Sequence, residues 1–449
     1  MAQHRACFEL THAFFSTGFP IKPKIHGAAS HMSIPTSIDA ARSTQRVHIL
    51  GAGPVGLVMA AMLQSMPGYS IRLYEKRPAY LRTRMVRLAP YLVADSLSAY
   101  AADEVDGDNV AAIFDAADLE AGLSARRSVN PKLVALIKDW SQGFCPLNII
   151  EKGASAMIDE GGPSPVERVL GGVSVDQALA MVAPDDIMID CTGCNSLLRN
   201  HLVPAKAGEA NAAERNTYTL RLEYAVNITF LYGAPYQCNE YCKYYKNRAN
   251  SQYKFIPAVD RIAGDAGVTH VFGIISISAE DFAAMPPQCK GDYLRENFPA
   301  VATSMDRFIA QINEETGGQI ISDIEVVRIP LNLYRARNAT NHAWYAERTD
   351  DLPDGGEHAF SKGSVFLVGD SAIGSPYFQS ISLGIECAMF LAGLLQQGIP
   401  MSDVRGQYEA RIYKQWLRVY MRSKTIKHNK DIFERLDDTF GVLEKLKIY

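Results

Sequence analysis

Short apolar runs set the rhythm of this chain. "VHIL" (47–50) is an unbroken β-branched and apolar run, which suits a strand buried on both faces of a parallel sheet. Glycines interrupt it at once, and "LVMAAMLQSM" (57–66) then shows helical spacing that ends near Pro67-Gly68. "SIRLYE" (70–75) predicts a second strand, giving strand, glycine turn, helix and strand in about thirty residues. "DDIMIDC" (185–191) and "SVFLVGD" (364–370) predict further buried strands, and a long apolar helix starts near Ser382 and Gly384. Between them the texture changes. The segments 217–233, 269–278 and 324–336 are β-branched and aromatic, and predict long antiparallel strands. From 408 to 449 the pattern is helical, with Ile412, Trp416, Val419 and Tyr420 in a stripe among Lys and Arg. The first 42 residues have no sustained period and predict a poorly ordered extension.

Composition changes this picture little. The chain has 449 residues, 47% hydrophobic and 21% charged, which is ample for a large core. Its net charge of −4 gives no global pull toward nucleic acid. The eight cysteines form no dense framework, so free thiols and a cytoplasmic protein are expected. Cys191-x-x-Cys194 has the spacing of a redox pair, but two turn residues after a strand is the preferred reading. No set of metal ligands is read. The basic C-terminal helix can lie on an anionic membrane, although packing on the protein body is the commoner use of such a helix.

The glycine turn "GAGPVG" carries the first candidate chemistry. Gly51 allows a tight turn, Gly53 lets a pyrophosphate approach the backbone, and Gly56 lets helix and strand pack closely. The helix N-terminus, around Val55, offers N–H groups and a positive dipole end to phosphates. Glu75 ends the second strand, with Lys76 beside it, where a carboxylate can accept from ribose hydroxyls. That arrangement suits an unphosphorylated adenosine ribose, as in FAD or NAD.

Three separated patches together resemble the class A flavoprotein monooxygenases, the FAD-dependent aromatic-ring hydroxylases. They are the glycine turn with Glu75, the "DCTGCNSLLR" segment (190–199), and the late strand "SVFLVGD" followed by Pro376 and a helix. The resemblance implies an α/β fold: a Rossmann-like FAD-binding domain with a parallel βαβ sheet, interleaved with an antiparallel-sheet substrate domain and followed by a C-terminal helical tail. The corresponding segments are an extension (1–43), the first part of the FAD-binding domain (44–215), the substrate sheet (216–340), the second FAD-binding part (341–400) and the helical segment (401–449). It implies that Asp370 accepts from the ribityl chain of FAD, that Pro376 and Gly193 lie at the cofactor, and that one of Arg82, Arg84 and Arg87 meets the phosphates, with Arg84 favoured. Tyr377, beside Pro376, is the residue expected to face the flavin ring. The implied activity is oxygenation of a small organic substrate, aromatic in many family members, by O2 through a flavin hydroperoxide. Halogenase-like or reductase chemistry and non-catalytic flavin binding stand as alternatives.

Departures from the family pattern shape the expectations. Thr192 stands where the hydroxylases have an Asp that helps bring NADPH to the flavin, a variant closer to flavin halogenases. Either NAD(P)H or a separate reductase is therefore left as electron donor. The halogenase alternative lacks its W-x-W-x-I-P stretch, because Trp140, Trp344 and Trp416 are far apart. Ile373 stands where a His is usual. The Tyr-rich stretch 235–255 reads equally as a substrate lid and as an exposed hairpin.

Overall fold

The computed structural model describes residues 44–82, 85–96, 98–99, 113–203, 215–236, 252–261, 267–341, 363–375 and 380–445. The extension 1–43, Arg84, Pro376, Tyr377 and most of the Tyr-rich stretch lie outside these residues.

The chain opens with β1 (Gln45–Leu50), α1 (Pro54–Gln64) and β2 (Tyr69–Glu75). A small antiparallel ribbon of β3 (Met85–Arg87) and β4 (Phe144–Pro146) follows, with α2 (Ala116–Arg127) and α3 (Pro131–Trp140) between its strands. Next come α4 (Leu147–Asp159), β5 (Val166–Leu170), α5 (Val175–Met181) and β6 (Ile187–Asp190). The middle of the chain holds β7 (Thr217–Tyr232), β8 (Phe255–Arg261), β9 (Thr269–Ile277), α6 (Ala279–Ala284), β10 (Gln288–Lys290), α7 (Gly291–Asn297), α8 (Pro299–Thr316) and β11 (Glu325–Ala336). The last part contains β12 (Ser364–Leu367), β13 (Ile373–Gly374), α9 (Ser380–Gln396) and α10 (Met401–Lys445).

Five strands form a parallel sheet in the order β12-β6-β1-β2-β5. Val47 to Leu50, all of β6 and all of β12 are buried. Cover on both faces is why these strands are largely apolar, with His48, Asp190 and Ser364 as their buried polar residues. Helix α1 is buried from Gly56 to Gln64 and packs against α4 and α9. It is apolar nearly all round because it has neighbours nearly all round.

The second sheet is antiparallel, in the order β10-β11-β7-β9-β8, with β13 added to β11. It has its own core. Val226, Ile228, Phe230 and Tyr232 alternate along β7 and pack in one cluster with Met305, Phe308 and Ile312 of α8. Period-two burial of this kind belongs to a sheet with one covered face. The chain enters this sheet after β6 and returns to the parallel sheet at β12, so the two are interleaved in sequence.

The long helix α10 departs from the sequence expectation in one respect. Ile412, Trp416 and Val419 are buried, but so are Arg411 and Arg418. Both arginines reach Glu386, in the middle of α9, at 3.1 and 2.9 Å, and Arg126 of α2 joins them at 2.9 Å. Arg418 therefore belongs to a buried ionic cluster and not to a solvated basic surface. Its guanidinium also lies 4.3 Å from the Tyr91 ring centroid. No described helix is long and apolar enough to cross a membrane.

Candidate functional site: a cleft at the ends of the parallel strands

The parallel strands end together. Backbone bonds carry the sheet one step past β1, β6 and β12: Gly51 N–H donates to Tyr74 O (2.9 Å), Cys191 N–H to Leu50 O (2.8 Å) and Val368 N–H to Asp190 O (2.9 Å). Beyond these ends lies a cleft of about 610 Å³. A crevice outside the carboxyl ends of parallel strands is the usual ligand site of open α/β sheets.

The three glycines of the first turn have different surroundings. Gly51 has φ +91°, and a Cβ there would lie 2.8 Å from the Cys191 carbonyl oxygen. At Gly56 a Cβ would lie 2.0 Å from the Gly51 carbonyl oxygen, so this position closes the turn on the helix. Gly53 differs from both. The one described atom within 4 Å of a Cβ there is Arg82 Nη2, at 3.6 Å. Its backbone lines the cleft at the N-terminus of α1, with an arginine across from it. A diphosphate fits such a cradle, because helix N–H groups, the dipole and a cation converge with no side chain in the way.

Gly51, Gly53, Val55, Glu75, Lys76, Gly193 and Asp370 all line this one cleft, although Asp370 is far from the others in sequence. Gly56 does not line it; its place is in the packing of helix on turn. Arg84, Pro376 and Tyr377 lie outside the described residues. Arg82, one of the three arginines left open by the sequence, lines the cleft.

Arg82 is fixed from both ends. Its carbonyl accepts from Asn148 N–H at 2.8 Å, and its guanidinium pairs with Glu151 of α4. Glu151 is fully buried and also lies 3.5 Å from Arg77 Nη2. Arg77 in turn grips Glu75, donating Nε–H to Oε1 (3.0 Å) and Nη2–H to Oε2 (2.9 Å). Burial alone would push the Glu75 carboxyl up. Hydrogen bonds from the Arg77 side chain and backbone, with its charge, outweigh that and hold it below the ordinary value. Glu75 is thus an ionised acceptor held in one rotamer, with lone pairs beyond those that Arg77 uses. Gly171, Gly172 and Val173, after β5, also line the cleft.

The far wall is a knot around Asp190. This carboxylate is fully buried at the end of β6 and accepts five hydrogen bonds. Oδ1 takes Thr192 N–H (2.8 Å), Thr192 Oγ1 (2.6 Å) and Ser371 Oγ (3.0 Å). Oδ2 takes Ser196 Oγ (2.6 Å) and Leu198 N–H (2.8 Å). Arg199 adds Nε–H to Ser371 O (3.0 Å) and Nη2–H to Cys194 O (2.6 Å). Ser196 and Arg199 therefore brace the turn itself, and the face left to the cleft runs from Cys191 to Asn195 and includes Leu197. Cys191 and Cys194 are both free. Burial, with Asp190 beside it, pushes the Cys191 thiol well up, which leaves it a poor nucleophile.

Sequence reasoning missed Asp190, Ser371, Arg77, Glu151 and the Gly171-Gly172 lining. An Asp closing an apolar strand was a usable signal for Asp190. Ser371, Glu151 and Gly171 carry none, because their partners are distant in the chain.

No protein-family model matches this chain, and no curated protein sequence does. Solved structures with similar folds include a flavin-dependent halogenase, CmlS, at 11% identity and TM-score 0.44, covering 83% of this chain and 62% of the halogenase. The chain thus spans under two thirds of that enzyme's length. The Diels–Alderase PyrE3 of pyrroindomycin biosynthesis matches at 13% identity and TM-score 0.44, covering 88% of this chain and 77% of its own. A 2,6-dihydroxypyridine-3-hydroxylase from Arthrobacter nicotinovorans matches at 12% identity and TM-score 0.46, covering 88% and 93%. Similarity this distant leaves the functional reading to the residues of the cleft.

Proposed function

We propose that the protein is an FAD-dependent monooxygenase acting on a small organic substrate. The observation that carries the cofactor reading is the convergence of Gly53, the α1 N-terminus, Arg82 and Asp370 on one cleft at the ends of the parallel strands. In this reading Gly53 and the first turn of α1 hold the diphosphate by backbone N–H groups, and Arg82 neutralises it. Glu75, fixed by Arg77, accepts from the adenosine ribose. Gly193 and Asp370 flank the ribityl chain, and Tyr377 is assigned to the flavin ring. The antiparallel sheet supplies the substrate wall.

When bound, the flavin would supply the two-electron chemistry that activates O2 for transfer of one oxygen atom. The protein's part is to bind, orient and exclude water. Thr192 gives the cleft a hydroxyl already committed to Asp190 and to Leu197 N–H, not a carboxylate. On that ground a separate reductase, rather than direct NAD(P)H reduction, is the proposed electron source. The test is titration of FAD into purified protein, followed by oxidation of NADPH with and without reductase. Saturable FAD binding with reductase-dependent turnover supports the reading. Absence of FAD binding removes it, and fast NADPH oxidation without reductase removes the electron-source assignment alone.

A further inference from the structure

Tyr334 belongs to β11, in the antiparallel sheet, yet its hydroxyl donates to the backbone carbonyl of Asp370 at 2.7 Å. Asp370 follows β12 of the parallel sheet, so this bond ties one sheet to a cleft residue of the other.

The ring has little freedom. Gly374 pairs opposite Tyr334 in the β11–β13 register, and a Cβ there would lie 1.8 Å from a ring carbon. The Arg199 guanidinium lies 4.9 Å from the ring centroid. Arg199 is itself held by the carbonyls of Ser371 and Cys194, which belong to the two turns forming the far wall of the cleft. The phenol therefore meets Asp370 in one geometry. Burial first, and the Asp370 charge second, push its hydroxyl well above the ordinary tyrosine value, so it remains a donor.

A hydrogen bond to the Asp370 carbonyl constrains that peptide plane, and the plane sets where the Asp370 side chain starts. We propose that Tyr334 is a positioning residue which sets Asp370 for the ribityl half of a flavin nucleotide, and so links the antiparallel sheet to cofactor affinity. This rests on the flavin reading above. Tyr334 would not touch the cofactor. It would act on the half that carries the ribityl chain and leave the ADP half to Gly53, Arg82 and Glu75.

The split between the halves is the test. Apo wild type, Tyr334→Phe, Asp370→Ala and the double variant are each titrated with FAD and with ADP. Tyr334→Phe keeps the ring and its packing and removes one hydroxyl. One net hydrogen bond corresponds to about threefold to tenfold weaker FAD binding. ADP affinity is expected to stay within about twofold of wild type, since it makes no contact with the ribityl half. The double variant is expected to bind FAD no more weakly than Asp370→Ala alone, since both changes act through one contact. Equal losses for FAD and ADP would overturn the proposal, because they would show a general loosening of the cleft. Unchanged FAD affinity, or additive losses in the double variant, would overturn it too. A wild-type protein that binds ADP but not FAD would overturn the flavin reading and this role with it. A wild type that binds FAD, with Tyr334→Phe equal to it, would overturn the role of Tyr334 alone.

Discussion

Two turns border the cleft, and they are built by opposite means. The turn 51–56 after β1 is shaped by the absence of side chains: the Gly56 backbone comes so close to the Gly51 carbonyl that no Cβ fits. The turn 191–196 after β6 is shaped by one buried carboxylate, Asp190, with five donors. The first closes locally, Gly56 on Gly51, and its glycine spacing is visible in the sequence, although Gly51 also packs against the Cys191 carbonyl. The second needs Ser371, which is 181 positions away from Asp190, and cannot close until β12 has joined the sheet. At Gly51 and Gly56 the steric turn tolerates nothing bulkier, whereas the polar turn tolerates nothing less polar.

The largest expected effect follows from that contrast. Asp190→Ala leaves the Thr192 and Leu198 N–H groups and three hydroxyls, those of Thr192, Ser196 and Ser371, without this acceptor. An unsatisfied buried donor costs about 1–3 kcal/mol, so a total loss of roughly 3–5 kcal/mol is expected. Urea denaturation measures it, and a loss below about 1 kcal/mol would show that the knot is not what holds this turn.

Gly56→Ala is the matching change in the steric turn. Its new methyl meets a backbone oxygen that has nowhere to go, which is expected to cost about 3 kcal/mol, the upper part of the usual overpacking range. The same denaturation assay serves. Gly53→Ala sharpens the comparison, because its methyl meets only the end of the Arg82 side chain, at an ordinary contact distance of 3.6 Å. Folding stability should move by less than about 1 kcal/mol. Two glycines of one short turn would then differ because one faces the fold and the other faces a ligand.

The third effect concerns the ligand side of the polar wall. Asp370→Ala is expected to weaken FAD binding by about 1.5–3 kcal/mol, the value of a hydrogen bond to a charged group. Isothermal titration of the apo protein reads it directly. Equal dissociation constants for wild type and variant would separate Asp370 from the cofactor.

The fold was legible to different depths for related reasons. The runs 47–50 and 364–370 foretold β1 and β12, because strands buried on both faces are largely apolar, and 70–75 foretold β2 by the alternation of Ile71 and Leu73 with polar residues. The long segments 217–233 and 324–336 foretold β7 and β11 by their β-branched and aromatic content. By contrast β5 was not foreseen. It is the edge of the parallel sheet, and Glu167 and Arg168 leave it exposed and charged. The cleft was legible where backbone shapes it, at Gly51 and Gly53. It was not legible at Glu151, an acid inside a helix whose meaning depends on Arg77 and Arg82 arriving from another part of the chain.

The smallest expected effect lies elsewhere in the parallel sheet. His48 of β1 is buried, with Nδ1 3.1 Å from the Tyr74 hydroxyl and Nε2 3.6 Å from Asp186. Burial pushes its pKa below the ordinary 6.5, and Asp186 only partly opposes this. Near and below pH 6.5 the unfolded chain takes up a proton that the folded protein resists. Stability present above that pH should therefore decline as the pH falls from 6.5 through the folded value. Thermal melts from about pH 7.5 to about pH 5 are expected to show a slope that His48→Gln makes shallower. An equal slope in both would assign the pH dependence elsewhere.

The claim on which the functional account turns is that Gly53 faces a dinucleotide. Titration of FAD into wild type and Gly53→Val tests it most directly, with circular dichroism and thermal melts run on the same samples. The account predicts saturable FAD binding by wild type, and a Gly53→Val protein that is folded, melts near wild type and does not retain FAD. A folded Gly53→Val protein that binds FAD as wild type does would contradict it.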